Sequence, residues 1–116
     1  MGKSFTIFLS SSPYSDESTL SAARILSNAI DKGNDANLMA SGDGVYAFHK
    51  AQKYSGLPDA EKLFAELIDR GLKVYLCGGC LGYRRVTKQD YIKGVEVVKA
   101  KKCMKIIEKT DILINL

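Results

Sequence analysis

The sequence predicts an α/β fold, a three-layer α/β/α sandwich around a mainly parallel sheet of four to five strands. Short apolar segments alternate along the chain with segments whose apolar residues recur at helical spacing. The first apolar segment, residues 3–10, is apolar on both faces, as a strand covered on both sides requires. A chain of 116 residues builds one core of this kind, so we assign residues 1–116 to a single domain.

Turn and cap residues set the expected element boundaries in the first half of the chain. Gly33 ends the first helix. Asp59 offers a capping carboxylate to the clearest helix, whose apolar stripe runs from Ala60 to Ile68. The expected elements are a strand at residues 3–10, a helix from about 17 to 33, a strand at 35–40, a helix over 45–51, a turn at 55–58 and a helix from 59 to 70.

The second half repeats this alternation and places three loops together. The expected elements are a strand at residues 72–77, a glycine- and arginine-containing loop at 78–87, a helical turn at 88–93, a strand at 96–98, a helix over 100–107 and a strand at 111–116. Right-handed crossovers put the carboxyl ends of parallel strands at one edge of the sheet. We therefore expect the loops at 11–16, 42–44 and 77–85 to share that edge, where ligands bind in open α/β sheets.

Cys77 is the candidate nucleophile because it ends the third strand at this edge. A thiol there is partly exposed, and Gly78 and Gly79 let backbone amides approach an anionic sulfur closely. Arg84 and Arg85 add positive charge within a few residues, which favours the thiolate. The alternative, an inert cysteine at a strand end, fits the same position taken alone.

Cys80 is compatible with three roles: a resolving partner for Cys77, a metal ligand, or no role at all. The match to a thioredoxin-like site is poor, because two glycines separate the thiols and no proline follows nearby. A structural zinc site needs four ligands, and the remaining candidates, Cys103 and His49, fall on predicted helix faces. Cys103 shares its stripe with apolar residues, so we expect it in the core. We expect neither a metal nor an organic cofactor.

Composition and charge limit the classes of partner and the cellular compartment that we expect. The net charge is +4, and the lysines near the C-terminus lack the aromatic and arginine neighbours of a nucleic-acid-binding surface. No apolar run approaches the length of a membrane span, and phosphate-binding glycine motifs are absent from the sequence. Three cysteines without a secretory signal favour a reducing compartment. We therefore expect a cytoplasmic protein that binds neither nucleic acid nor membranes.

Several short motifs follow one another in a fixed order. They are Pro13-Tyr-Ser-Asp-Glu-Ser18 at the start of the first helix, Asp43 after the second strand, Cys77-x-x-Cys80 after the third, the arginines of the following loop, and Gly94-Val-Glu96. In this order they resemble the DsrE/DsrF-like family, most closely its small YchN-like branch, with TusD-type sulfur-relay subunits as more distant relatives. The resemblance extends over the whole chain.

The resemblance implies an α/β/α fold, assembly into homo- or hetero-oligomers, commonly trimers or hexamers, and sulfur relay. In sulfur-relay members the cysteine at the position of Cys77 receives sulfane sulfur as a persulfide and passes it to a partner. Those subunits typically carry one cysteine at this place, whereas this chain has two. Cys80 is therefore a candidate to resolve a Cys77 persulfide into a disulfide.

We expect a persulfide-handling protein, a sulfurtransferase or a sulfur carrier, in which Cys77 takes sulfur from a donor and yields it to an acceptor thiol. Donor and acceptor would be proteins or small sulfane compounds, and the chain would form a homo-oligomer, a trimer or hexamer. Two alternatives stay open: a Cys77–Cys80 dithiol oxidoreductase, and a non-catalytic oligomeric module that binds a small anion or metal. The expected site residues are the catalytic Cys77 and Cys80, the anion-stabilising Gly78, Gly79, Arg84 and Arg85, and the rim residues Ser12, Tyr14, Glu17 and Asp43.

Overall fold

The computed structural model describes residues 2–13, 16–50 and 59–116. Strands and helices alternate along this part of the chain, as the sequence predicts. They are β1 (Ser4–Leu9), α1 (Ser18–Asp31), β2 (Asp35–Ala40), the 3₁₀ helix Gly42–Phe48, α2 (Ala60–Asp69), β3 (Lys73–Cys77), α3 (Gly78–Tyr83), β4 (Val95–Val98), α4 (Ala100–Lys109) and β5 (Ile112–Asn115).

The strands form one five-stranded parallel sheet in the order β4-β3-β2-β1-β5. The chain moves in one direction from β1 to β4 and then returns across the sheet to β5. Because parallel crossovers are right-handed, this reversal places α1 and α2 on one face and α4 on the other. The sulfur atoms of Cys103 in α4 and Met39 in β2 lie 3.2 Å apart, whereas the neighbouring Leu38 points into the core beneath α1 and α2. The three-layer prediction is confirmed.

The two faces of the sheet are covered very differently. On the α1 and α2 face, Phe64 of α2 contacts Phe48 of the 3₁₀ helix with ring centroids 4.8 Å apart, and both side chains are fully buried. On the other face, α4 is described along its whole length and has no buried residue. Cys103 is therefore half-buried against Met39, and its predicted place in the core is wrong.

Side-chain carboxylates accept backbone amides at the starts of α2 and α1. Asp59 accepts a hydrogen bond from the backbone N–H of Lys62 at 3.4 Å at the start of α2, which confirms the predicted cap. At the start of α1 the carboxylate of Asp16 accepts the N–H of Ser18 at 2.8 Å, and this contact lowers the pKa of Asp16.

Two predictions for the segment after β3 are wrong. Residues 78–87 do not form a loop throughout, because α3 begins at Gly78 immediately after the strand. Glycines have low helix propensity, but burial of Leu81 and a cap from Cys77 outweigh it. Residues 88–93 form no helical turn, because the carboxylate of Asp90 binds the N–H and hydroxyl of Thr87 at 2.8 and 3.0 Å and makes a different turn.

The segment after β2 also differs from the prediction. The helix expected over residues 45–51 is a 3₁₀ helix that ends at Phe48, and His49 then pairs with Tyr91 in an isolated antiparallel bridge. The turn expected at residues 55–58 lies outside the described residues.

The first and last strands of the chain lie side by side. β1 is flanked by β2 on one side and by β5 on the other. The N–H of Ser4 donates to the carboxylate of Asp111 at 2.8 Å, and the N–H of Asp111 donates to the carbonyl of Ser4 at 3.0 Å. β1 therefore has the C-terminal residues as one of its two neighbours.

Gly44 fixes the approach of the 3₁₀ helix to β1, and we expect Gly44→Ala to destabilise the protein. A Cβ at this position would overlap the carbonyl oxygen of Leu9, a backbone atom that cannot rotate away. The free energy of unfolding should fall by about 1–3 kcal/mol. Urea unfolding followed by circular dichroism measures it. Gly82→Ala is the matched control, because a Cβ there meets nothing within 4 Å. Equal stability of Gly44→Ala and the unchanged protein would contradict the packing described for the 3₁₀ helix.

Candidate functional site

The segments that follow β2 and β3 meet at the carboxyl edge of the sheet. The backbone N–H of Gly42 donates to Cys80 Sγ at 3.1 Å. The Nε of Arg84 donates to the carboxylate of Asp43 at 3.0 Å. Both contacts join the start of the 3₁₀ helix to α3, so the expected meeting of these two loops is confirmed.

Cys77 is at once the last residue of β3 and the N-cap of α3. Its backbone is extended, and its sulfur accepts the backbone N–H of Cys80 at 3.4 Å. The backbone amide of Gly79 also acts on this sulfur and helps to lower its pKa. The sulfur thus occupies the place that a side-chain oxygen takes in an ordinary helix cap.

The pKa of the Cys77 thiol is lowered. Partial burial raises it, but hydrogen bonds from the Cys80 thiol and from the amides of Cys80 and Gly79 stabilise the thiolate more. The guanidinium of Arg84 lowers the pKa further. A larger fraction of Cys77 is therefore ionised near neutral pH than of an ordinary cysteine.

The pKa values of the other two thiols are raised. At Cys80, burial is the main cause, and the interaction with Cys77 raises the pKa further. The Gly42 amide and Arg84 lower it, but by less. Burial is also the main cause at Cys103, and negative charge on Cys77 or Cys80 adds to it. Of the three thiols, Cys77 therefore ionises most readily.

Arg84 holds the two loops together and keeps a cation beside the sulfurs. Besides its bond to Asp43, its Nη1 donates to the backbone carbonyl of Cys80 at 3.2 Å. Its side chain is 27% exposed, against 57% for Asp43. A partly exposed ion pair adds little to stability, so the main effect of this pair is on position and charge at the site.

The other residues predicted to stabilise an anion have different roles. The amide of Gly79 helps to lower the pKa of Cys77. Gly78 lets α3 lie against β4, because a Cβ there would come within 3.3 Å of the Val97 side chain. Arg85 is exposed and follows α3 with a left-handed backbone, φ 53°. Of the two arginines, Arg84 is the one that contacts this site.

The predicted rim residues are not all at the cysteines. Asp43 reaches the site through Arg84. Glu17 is exposed at the start of α1, and Ser12 is half-buried in the segment after β1. Tyr14 lies outside the described residues.

Sequence reasoning missed the Gly42 amide, which holds Cys80 from the neighbouring loop. A backbone donor leaves no mark of its own in a sequence. The available signal was the glycine itself, which adopts φ +54°, a conformation that other residues rarely take.

The same geometry bears on metal sites and on membrane-spanning helices. Within residues 2–13, 16–50 and 59–116, no three histidine, cysteine or acidic side chains are grouped as metal ligands. The helices of this described part of the chain are also too short or too polar to cross a membrane.

The fold and the site together define a class: a parallel α/β domain with two cysteines at the carboxyl edge of its sheet. Residues 3–116 match the DsrE/DsrF-like family, and the chain belongs to that family. This confirms the resemblance inferred from the motifs.

Relatives with similar sequences come from two archaea. An uncharacterized protein of Methanopyrus kandleri is 28% identical over 106 residues, which cover 91% of this chain and 88% of the relative. An uncharacterized protein of Methanocaldococcus jannaschii is 28% identical over 107 residues, covering 92% and 94%. Among solved structures, the ychN protein of E. coli superposes with a TM-score of 0.92 at 22% identity, covering all of both chains. At that identity the likeness supports the fold alone.

We expect alkylation to distinguish the three thiols. With iodoacetamide near neutral pH, Cys77 should react first, because its pKa is lowered, and Cys80 next. Cys103 should react more slowly than Cys77, because burial and nearby negative charge raise its pKa. Arg84→Gln should raise the pKa of Cys77 and slow its labelling at neutral pH, because it removes the nearby cation. Peptide mass spectrometry over a pH series measures each site.

Arg85→Gln is the matched control, since it removes the same charge from the adjacent position and should leave the Cys77 profile unchanged. An equal effect of the two substitutions would show that net charge, rather than the Arg84 contact, sets the reactivity. Fastest labelling of Cys103 in the folded protein would contradict the placement of α4.

Proposed function

We propose that this protein handles persulfide sulfur, with Cys77 accepting a sulfane sulfur and passing it to a partner thiol. The observation that carries the proposal is Cys77 Sγ as the cap of α3, where it accepts the backbone N–H of Cys80 at 3.4 Å beside the guanidinium of Arg84, which lowers its pKa. These groups stabilise a sulfur anion at the edge of the sheet where ligands of α/β proteins bind. Membership of the DsrE/DsrF-like family supports the same function.

The proposed reaction consists of two thiol exchanges with no net oxidation. The Cys77 thiolate attacks the terminal sulfur of a donor R–S–SH, the donor S–S bond breaks, and the R–S⁻ released takes up a proton. A persulfide, Cys77–S–SH, remains. An acceptor thiolate then attacks the terminal sulfur, and Cys77 leaves as a thiolate.

The lowered pKa of Cys77 serves both exchanges. It raises the fraction of thiolate that attacks the donor. In the second exchange Cys77 is the leaving group, and a thiol of lower pKa leaves faster. The cysteine is therefore suited to hold sulfur briefly and release it.

The partners and setting of the reaction are part of this proposal. The donor and acceptor are proteins or small sulfane compounds of a reducing compartment, the cytoplasm. No metal or organic cofactor takes part in the two exchanges as written.

A second candidate function, dithiol oxidoreduction, is favoured by one specific contact. Cys77 Sγ accepts the backbone N–H of Cys80 at 3.4 Å, and the two thiols shift each other's pKa, so the two cysteines are neighbours. If Cys80 attacks the inner sulfur of the Cys77 persulfide, a Cys77–Cys80 disulfide forms and hydrosulfide leaves. An external dithiol would then have to reduce the disulfide.

We expect incubation with inorganic polysulfide to add one sulfur atom, about 32 Da, at Cys77, and dithiothreitol to remove it. Cys77→Ser should abolish the adduct. Cys80→Ser should keep it and lengthen its lifetime, because the resolving thiol is gone. Intact-mass and peptide mass spectrometry measure both.

Cys103→Ser is the control, since it changes a thiol that lies outside the proposed exchange. Rapid formation of a Cys77–Cys80 disulfide in the unchanged protein, with release of hydrosulfide, would turn the assignment toward the dithiol oxidoreductase. A folded protein that loads only Cys80, or does not load at all, would contradict sulfur relay.

We further propose that copies of the chain associate. Exposed apolar side chains lie on the edge strands and on the helices that border them; they are Tyr83, Val97, Met104 and Leu113. β4 and β5 also present unpaired strand edges. We expect analytical ultracentrifugation at micromolar concentration to give the mass of a trimer or hexamer, and the mass of one chain would contradict this.

A further inference from the structure

The sheet face beneath α4 is polar at the amino ends of the central strands. Along each strand, the side chains on this face alternate with those that point into the core. Met39, for example, contacts Cys103 of α4. Asn37 pairs with Lys73 across β2 and β3, and Ser4 pairs with Asp35 across β1 and β2. A helix normally covers a sheet with apolar residues on both, so this interface departs from ordinary packing.

A cleft of about 290 Å³ lies between this polar face and α4. The helix contributes Lys102, Lys105 and Lys109, whose spacing puts them on one side of α4. Lys73 enters from the start of β3, and Tyr75 lines the cleft two residues further along. Four lysines from two elements therefore converge on one space.

The positive charge in the cleft is only partly balanced by the surrounding protein. Asp35 is the one carboxylate that lines it. Lys102 is 4.0 Å from Glu96, which pairs with Tyr75 across β3 and β4. Within the described residues, Lys73, Lys105 and Lys109 form no ion pair.

The floor of the cleft offers a further donor. The side-chain amide of Asn37 donates to the hydroxyl oxygen of Ser4 at 3.3 Å. The Ser4 hydroxyl thus accepts a hydrogen bond and keeps its own proton for a ligand. Lysine ammonium groups are also donors without acceptor capacity, so the cleft suits a ligand rich in acceptor oxygens.

We propose that this cleft binds a small, multiply charged oxyanion of the phosphate type. Its volume is near the lower end of small-molecule sites, which fits a compact ligand. A helix and a sheet bound the space on two sides, and this favours a small molecule over a nucleic acid strand. The site is separate from the dithiol, since Tyr75 precedes Cys77 by roughly 7 Å along β3, and the proposal does not depend on sulfur transfer.

The test is titration of the full chain with inorganic phosphate and pyrophosphate, followed by calorimetry and by NMR of backbone amides. One-to-one saturation with shifts at Ser4 and Asn37 is expected. The double substitution Lys73→Ala with Lys109→Ala should weaken binding about tenfold or more, because it removes two charged donors. Replacing both by arginine should restore most of the affinity.

Lys101→Ala is the matched control, because Lys101 is on the same helix and does not line the cleft. The affinity of Lys101→Ala for phosphate and pyrophosphate should stay within about twofold of that of the unchanged protein. Circular dichroism checks that the double variant folds, and Lys105→Gln repeats the test if it does not. Absence of saturation, equal weakening by Lys101→Ala, or affinity that rises steadily with the length of a competing oligonucleotide would overturn the proposal.

Discussion

The parallel pairing of β2 with β3 is the constraint on which the site depends. It aligns Ala40 with Leu76, so the two strands end level with each other and the segments that follow them lie at the same edge of the sheet. From there the amide of Gly42 is within 3.1 Å of Cys80 Sγ, and Arg84 reaches the loop after β2. A slip of the register by one residue would reverse the faces of β3 and take its cysteine away from these contacts. The core beneath α1 and α2 excludes such a slip, because it buries alternate residues of both strands.

The two sulfurs of the site differ although three residues separate them along the chain. The sulfur of Cys77 accepts a backbone hydrogen bond from the helix that it caps, while that of Cys80 lies within the helix and accepts the amide of Gly42. Their pKa values shift in opposite directions, lowered at the cap and raised one turn later. Chemistry that needs one thiol of lowered pKa beside one of raised pKa has both in place before any partner arrives.

The fold was predictable because it rests on periodicity and on turn residues that act locally, such as Gly33 and Asp59. The helical state of Gly78 to Tyr83 was not, since it depends on burial of Leu81 and on a cap made by a sulfur. Within the site, the cysteines and Arg84 carry chemistry in their side chains, so the sequence marks them as candidates. The choice between Arg84 and Arg85, and the contact from Gly42, depend on how separate loops meet in space. Position relative to another loop is the information that a linear pattern of residue types lacks.

The place of β5 beside β1 has a consequence for how the chain is made. β1 is synthesised before β5, yet the two strands are neighbours, joined by bonds between Ser4 and Asp111, which are 107 residues apart. Contacts so distant in sequence are slow to form. During translation, one side of β1 can pair with β2 early, but the other side cannot pair with β5 until β5 has been synthesised. The nascent chain thus carries a bare apolar strand edge until then, the condition in which chains of this kind are most open to aggregation.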